Sequence, residues 1–449
     1  MAAALHPGEL LPFSLGAGKI EVREKNGISE GTESMAGRKR SFYREMIKYI
    51  QISILAVLMA LLVGGALWAA EGFSAPGKSA EALADAGMDS LENADTEKTG
   101  KLSVEVPTVH VLTPSGKSEA SEAWAEKSEG AEASDGENRK EDVTLLFAGD
   151  LFLTDVLQEK YERNGISAAA TSDLLSITRG ADIFMLNQEF PFGTTGEAME
   201  DKQYTFRVDP KYASVLPDLG ADIVTLANNH MLDYGRGPLK ETLEALDEAG
   251  ILHVGAGQNL EEAKALKTVE AGGRVIGFLG ATRVIPEHSW TASQSNSGLF
   301  TTYDPTKLLE EIQAAKETCD YVVVYVHWGV ERNTEPEDYQ KTLARQYIDA
   351  GADAVIGAHP HVLQGIEYYH GKPIFYSLGN FIFANRTYET MMAELTLTDS
   401  GVDVRVIPCV STANQMGLMN SGERAGFYGR LQELCFGGIA IDEGGRVPE

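Results

Sequence analysis

From Asp142 onward the chain is cut into short apolar runs, and this punctuation restricts the fold more than any other feature. The runs are Val143–Phe147, Ile183–Leu186, Ile223–Leu226, Val275–Leu279, Tyr321–Val326, Ala354–Ile356 and Pro373–Ser377. They are rich in β-branched residues and bounded by Gly, Asp or Asn, which predicts strands buried on both faces. Helix-like segments lie between several of them. In Pro238–Ala249, Leu239, Leu243 and Leu246 recur at helical spacing, with Pro at the start and Gly250 after the end. Pro336–Ala350 repeats this logic, with Gly351 as the stop. Gly180-Ala181-Asp182, Gly220-Ala221-Asp222 and Gly351-Ala352-Asp353 each precede an apolar run, so one kind of junction is used three times. A left-handed Gly that closes a helix, with Asp opening the strand, accounts for it. Alternation of this kind predicts an α/β domain. Met391–Leu397 and Val402–Val410 then read as an antiparallel pair about Asp399-Ser400-Gly401. The folded domain is therefore expected over 142–410, followed by a C-terminal extension, 411–449, too weakly patterned to assign.

The first 141 residues have a different character. Residues 1–45 are rich in Gly, Glu and Lys without periodicity, as expected of a disordered tail. Arg38, Lys39, Arg40, Arg44 and Lys48 then lead into an apolar stretch, Tyr49–Ala70. Its length matches the ~20 residues that cross a bilayer as a helix. With the basic cluster before it, the stretch predicts a transmembrane signal anchor over 46–70, with the tail in the cytoplasm and the rest outside. The alternative is a cleaved signal peptide, for which Ala69-Ala70 offers small residues. Residues 71–141 are acidic and rich in Ala, Ser and Gly, which favours an extended, disordered linker. A helical stalk around Ser79–Leu91 is the other reading. The expectation is a single-pass protein of the cell membrane, held through 49–70, with its C-terminal domain extracytoplasmic.

The formal net charge of -28 argues against nucleic acid as a partner, because an acidic chain repels phosphate backbones. An anionic substrate would need a local cationic centre. Cys319, Cys409 and Cys435 form no disulfide framework, and a Cys409–Cys435 pair stays open.

Metal-binding residue types gather just past the strand ends: Asp150, then Asn187-Gln188-Glu189, Asn228-Asn229-His230, His327, and His359-Pro360-His361. In open α/β sheets ligands bind outside the carboxyl ends of strands, so these distant positions should share one rim. Imidazoles with carboxylates suit Mn, Fe or Zn, and a bridging carboxylate allows one or two divalent ions. Each motif alone has a plain structural reading, such as a turn residue or a satisfied interior histidine; their coincidence at five strand ends is the argument. In an extended segment residues i and i+2 face one side, which would aim His359 and His361 together. His253, His288 and His370 lack this setting.

Four segments carry a resemblance to a known family. They are Leu226-Ala227-Asn228-Asn229-His230 with Asp233 and Gly235, His327-Trp328-Gly329-Val330-Glu331, Gly357-Ala358-His359-Pro360-His361, and Tyr376-Ser377-Leu378-Gly379-Asn380-Phe381. In this order they resemble the CapA family of capsule and poly-γ-glutamate synthesis proteins, over about Val143 to Phe383. The resemblance implies a four-layer α/β/β/α sandwich like that of the calcineurin-like metallophosphoesterases. Carried over, Asp150, Glu189, Asn229, His327, His359 and His361 would hold metal and His230 would be the acid beside it. The choice of Asn229 over Asn228 rests on motif register. Asp233 and Glu331 would orient ligands or serve as surface ion-pair partners. Arg207 and Arg332 would contact an anionic substrate or be ordinary surface residues. Two positions depart from the phosphoesterase pattern: Phe152 stands where that superfamily has a histidine, and Glu189 where it has a bridging Asp.

Three functions follow as expectations. The first is synthesis or export of an anionic polymer such as poly-γ-glutamate, with membrane-embedded synthase subunits as partners and a hydrolase-like metal site. The second is a metallophosphoesterase acting on a cell-envelope substrate. The third is a non-catalytic, metal-stabilised scaffold for a membrane synthase.

Overall fold

Sixteen strands form among the residues described by the computed structural model, 140–384 and 386–449. The first eight are β1 (Val143–Leu151), β2 (Ile183–Gln188), β3 (Ile223–Thr225), β4 (Leu252–Val254), β5 (Ala256–Gly257), β6 (Lys267–Ala271), β7 (Arg274–Thr282) and β8 (Gly298–Leu299). The rest are β9 (Tyr321–His327), β10 (Ala354–Ala358), β11 (Ile366–Tyr369), β12 (Lys372–Phe375), β13 (Asn380–Ile382), β14 (Tyr388–Leu397), β15 (Val402–Thr412) and β16 (Gln415–Leu418). Each apolar run lies in a strand or overlaps one. The tail 1–45, the anchor 46–70 and nearly all of the linker 71–141 lie outside the described residues. Among the described residues no helix is long and apolar enough to cross a membrane.

The first sheet has the order β16-β15-β14-β1-β2-β3-β4, with β13 also pairing β1. The second has the order β11-β12-β10-β9-β7-β6. In the first, β1, β2, β3 and β4 run parallel; in the second, β7, β9, β10 and β12 do. Alternation along the strands builds the layers. Val143, Leu145 and Phe147 of β1 pack against Ile276, Phe278, Tyr321, Val323 and Tyr325 of the second sheet. Leu146 and Ala148 face the other way, toward Leu157, Leu174, Leu239 and Leu246 of helices Asp155–Asn164, Ser172–Thr178 and Arg236–Ala249. Val322, Val324 and Val326 meet Leu308, Ile312, Leu343 and Tyr347 of helices Thr306–Lys316 and Asp338–Asp349. The layer order is helix, sheet, sheet, helix. Both faces of the central strands are buried, which is why they read as continuous apolar runs. Across the middle layer the Tyr325 hydroxyl donates to Ala148 O at 2.7 Å, tying the sheets together two residues from Asp150 and two from His327.

The recurrent Gly-Ala-Asp junction has a physical cause in the sheet. The carboxylates of Asp182, Asp222 and Asp353 accept from Thr144 N, Phe184 N and Val322 N, each at the start of the neighbouring strand, at 2.8, 2.8 and 2.9 Å. Each Asp satisfies a backbone donor that the ladder leaves open. The left-handed glycine holds at Gly220 (φ 86°) and Gly351 (φ 120°) but not at Gly180, which is absent from the positive-φ residues. There a Cβ would fall 2.7 Å from Ser176 O, so close approach selects glycine.

Two helices shift relative to expectation. The first begins at Arg236, two residues before Pro238. The second spans Asp338–Asp349, because Glu337 caps it reciprocally with Gln340. The antiparallel pair is longer than expected, β14 with β15, in register from Tyr388↔Ser411 to Leu397↔Val402. The unassigned C-terminus is part of the same domain. It adds β16 to the first sheet, and helix Ser421–Leu434 buries Phe427, Tyr428 and Leu431 in the core between the sheets. Cys319, Cys409 and Cys435 are all free thiols.

Candidate metal centre

The carboxyl ends of β1, β2 and β3 meet those of β9 and β10 at one rim, and the first half of that rim supplies oxygen. A Cβ on Gly149 would lie 1.8 Å from Gly379 O, so glycine alone lets β1 run against that carbonyl, which accepts from Asp150 N at 3.0 Å. Asp150 and Glu189 are fully buried. Asn187 joins them: its Nδ2 donates to Asp150 Oδ1 at 2.8 Å and to Glu189 Oε2 at 3.3 Å. Asn228 in turn donates to Asn187 Oδ1 (3.1 Å) and Gln188 O (2.8 Å) and accepts from His230 N (3.1 Å). Asn228 therefore faces the strand ends, while Asn229 Oδ1 lies 2.8 Å from His327 Nε2.

The second half supplies nitrogen. His327 ends β9 and is fully buried. Its Nε2 lies 3.1 Å from His359 Nδ1, and the two rings are 4.7 Å apart. The rings of His359 and His361 are 5.9 Å apart. The expected extended segment is not how this pair is aimed. His359 (φ 98°) and His361 (φ 57°) both adopt the left-handed region, because β10 ends at Ala358 and the chain turns at once. Arg332 N–H donates to Pro360 O at 2.8 Å and braces the turn.

The ligand-capable atoms form two triads that share one carboxylate: Glu189 with His327 and His359, and Glu189 with Asp150 and His361. Within each, the atoms lie within 4.8 Å of one another. Metal bonds of about 2.1 Å place adjacent donor atoms roughly 3 Å apart, the spacing seen among Asn229, His327 and His359. Glu189 Oε1 and Asp150 Oδ2 are buried without a hydrogen-bond donor. Oδ2 lies 3.1 Å from His361 Nδ1 without bonding it, and that nitrogen is 2.9 Å from Asn380 Oδ1. With the Nδ1 proton given to Asn380, His361 turns a free Nε2 toward Glu189 Oε1, 3.6 Å away. Orphaned carboxylate oxygens facing imidazole nitrogens are costly alone and are satisfied by a divalent cation. The donor set fits such an ion.

The electrostatics agree. Burial, and then the neighbouring Asp150, hold the Glu189 carboxyl well above its usual range. Burial holds His327 well below the usual imidazole range, with His359 and His361 adding to it. Burial, reinforced by His361, pushes His359 down to about 3. Their lone pairs are therefore open to a metal. Burial also pulls His361 down, but the adjoining Asp150 carboxylate and Asn380 more than offset it.

Beside the cage stands His230, its Nε2 4.0 Å from Glu189 Oε1 and its Nδ1 2.6 Å from Asp233 Oδ2. Burial lowers its pKa, against the pull of Asp233. The other expected residues fall elsewhere. Glu331 is exposed and makes no hydrogen bond or ion pair among the described residues; it lies close enough for its charge to act on Glu189, Lys202 and His361. Its loop leaves β9 through Gly329 (φ 95°), and its carboxylate bonds to none of the candidate ligands among the described residues. Arg207 donates to Thr195 O (2.7 Å) and Gly196 O (3.2 Å) and stacks 4.1 Å from Tyr234, so it fastens a loop. Arg332 is exposed beside the His359–His361 turn. Phe152, in place of a histidine, stacks on Phe206 at 4.0 Å, and Phe206 stacks on His230 at 3.9 Å. Sequence reasoning missed the roles of Asn187, Asn380, Lys202 and Phe206. Asn380 had a signal, since it lies in a family motif; Lys202 had none.

The bacterial capsule synthesis protein PGA_cap family profile matches residues 144–385. The PGA biosynthesis protein CapA of Bacillus subtilis is 32% identical over 318 residues, 69% of this chain and 80% of that protein. The capsule biosynthesis protein CapA of Bacillus anthracis is 30% identical over 299 residues, 63% of this chain and 70% of that protein. Among solved structures, the sulfate thiohydrolase SoxB of Thermus thermophilus aligns with 59% of this chain and 56% of its own, at 14% identity and a TM-score of 0.34, too distant to carry chemistry. By the extent of the profile match and the identity to these relatives, the chain belongs to the bacterial capsule synthesis protein PGA_cap family.

Proposed function

We propose that this chain acts in the synthesis or export of poly-γ-glutamate or a related anionic capsule polymer, and that its rim is a metal-dependent, hydrolase-like centre. Family membership supports the first part. One observation carries the second: the orphaned oxygens of Glu189 and Asp150, buried and turned toward imidazole nitrogens. Glu189, His327, His359 and Asn229 would hold one Mn, Fe or Zn ion, and Asp150, Glu189 and His361 a second. A bound ion supplies charge stabilisation and a water whose pKa falls toward ~7. The chain's own residues do the rest. Asp233 keeps the proton of His230 on Nδ1, leaving Nε2 toward the cage to pass a proton to or from the reacting bond, a role worth about 10² to 10⁴ in rate. Asn187 holds the two carboxylates in place, and Asn228 holds Asn187. Residues 49–70 would anchor the domain on the outer face of the cell membrane, beside membrane-embedded synthase subunits.

The His230–Asp233 pair also favours a second reading, a cell-envelope metallophosphoesterase; Phe152, which offers no nitrogen ligand, weighs against it. The 449-residue chain, purified without added metal, decides by elemental analysis and by turnover of an aryl phosphate and a γ-glutamyl peptide. One to two equivalents of transition metal and cleavage of the peptide are expected. Cleavage of the phosphate alone shifts the reading to the second. A metal-free, inactive protein whose His230→Ala variant still supports capsule formation rules out both and leaves a scaffold.

A further inference from the structure

Residues 202–206, in the connection between β2 and β3, converge on the back of His230. Lys202 is the partly buried cation there, its side chain 13% exposed, with Nζ bonded to Asp233 Oδ1 and to Asn229 O and 3.0 Å from His230 Nδ1. Phe206 contributes twice. Its backbone N–H donates to Asp233 Oδ2 at 2.7 Å, and its ring lies 3.9 Å from the imidazole at an interplanar angle of 19°. Asp233 is fully buried, and among the described residues its carboxylate takes its donors from Lys202, Phe206 N and His230 Nδ1. With Oδ2 accepting from Phe206 N–H and lying 2.6 Å from Nδ1, the imidazole proton sits on Nδ1.

A surface loop has no need of an ammonium drawn this far out of water, which is costly unless paired and hydrogen-bonded. Here it neutralises a carboxylate whose one other side-chain partner is the imidazole. It also holds the backbone carbonyl of Asn229, whose side chain faces His327. We propose that Lys202, with Phe206, is a positioning clamp that fixes the ring plane of His230 and holds the Asp233 carboxylate that sets its tautomer, so that Nε2 faces the cage. Lys202 touches no reacting atom in this arrangement; it acts through Asp233 and His230. The inference rests on the hydrolase-like reading of the site for its consequence, but not for its geometry.

The experiment uses the 449-residue chain and two readouts. The first needs no activity: ¹⁵N-histidine NMR, with the His230 signal assigned from its loss in His230→Gln. In the wild type, Nδ1 is expected to carry the proton; in Lys202→Met, compared at equal bound cation content, the single-tautomer pattern is lost. An unaltered His230 pattern in Lys202→Met overturns the clamp, whatever the turnover. The second readout is turnover of whichever substrate the wild type cleaves. Lys202→Met should lower kcat about 10- to 100-fold with little change in KM, and Lys202→Arg should recover part of it. Adding Lys202→Met to His230→Gln should then cost nothing further; multiplying effects overturn the proposal. If Lys202→Met does not fold, Phe206→Leu, which keeps the ion pair and the backbone donor but removes the stacked ring, carries both readouts. A wild type that cleaves nothing defeats the hydrolase reading and leaves the NMR test standing.

Discussion

The two halves of the rim solve one problem by opposite means. The first sheet delivers oxygen donors, Asp150, Glu189 and Asn229, from where its parallel strands end. The second delivers nitrogen donors, and two of its three imidazoles stand on left-handed backbone. The oxygen half is costly electrostatically, since two buried carboxylates lie side by side. The nitrogen half is costly conformationally, at about 1–2 kcal/mol for each non-glycine residue held there. A cation held between the sheets would relieve the first cost and give a reason to bear the second.

The largest effect should come from Glu189, the carboxylate common to both triads. Glu189→Gln should weaken both cations by a hundredfold or more, at least about 3 kcal/mol each. His359→Ala should release one equivalent and keep the other. Elemental analysis of the two variants after identical dialysis separates them; loss of both from His359→Ala and one from Glu189→Gln would show that the bridge is misassigned.

The next effect is a reversal of sign. In the cation-free protein the folded pKa of Glu189 is raised above its ordinary 4.5. A raised group contributes stability that is full below its unfolded value and is lost as pH climbs through the folded one. His327 and His359 run the other way. Their folded values are depressed, so their contribution is full above the ordinary 6.5 and is lost as pH falls from there, for His359 toward about 3. With metal stripped by a chelator, Glu189→Gln should therefore unfold later than the wild type at pH 8, by roughly 1–3 °C. Loaded with metal, the wild type should gain roughly 5–10 °C and the order should reverse. Calorimetry of both proteins in both states checks this; the same order in both states would mean that the carboxylates are compensated without an ion.

The halves also differ in how they were legible. Asp150, Glu189 and Asn229 follow apolar runs, and the rule that ligands bind beyond strand ends located them. His359 and His361 are visible as a pair, but left-handed backbone rather than extended chain brings them together. An i, i+2 spacing describes extended chain, and the turn after Ala358 is set by contacts such as Leu378 N–H to Gly357 O, which no local pattern reveals. Lys202 lies in a polar connection and looks like any surface lysine until tertiary closure buries it. Helix Ser421–Leu434 was unreadable for another reason. It contains Gly422, Gly426 and Gly429, poor helix formers, and depends on the packing of Phe427, Tyr428 and Leu431.

The smallest effect tests the conformational cost directly. Arg332 sits at φ 63° on the loop that braces the His359–His361 turn. Its side chain is exposed, so replacing it removes little packing. Glycine adopts this conformation without the clash of a Cβ, although it gains freedom in the unfolded chain. The balance should favour Arg332→Gly by about 0.5–1 kcal/mol, a rise in Tm of roughly 1–3 °C, with cation content unchanged. If the arginine meets the polymer's carboxylates, the same variant should bind or cleave an anionic γ-glutamyl chain less well while being the more stable protein. A variant that is stabilised and fully functional would make the left-handed backbone at this position a cost without a return, and the strain that matters would then be confined to the two histidines.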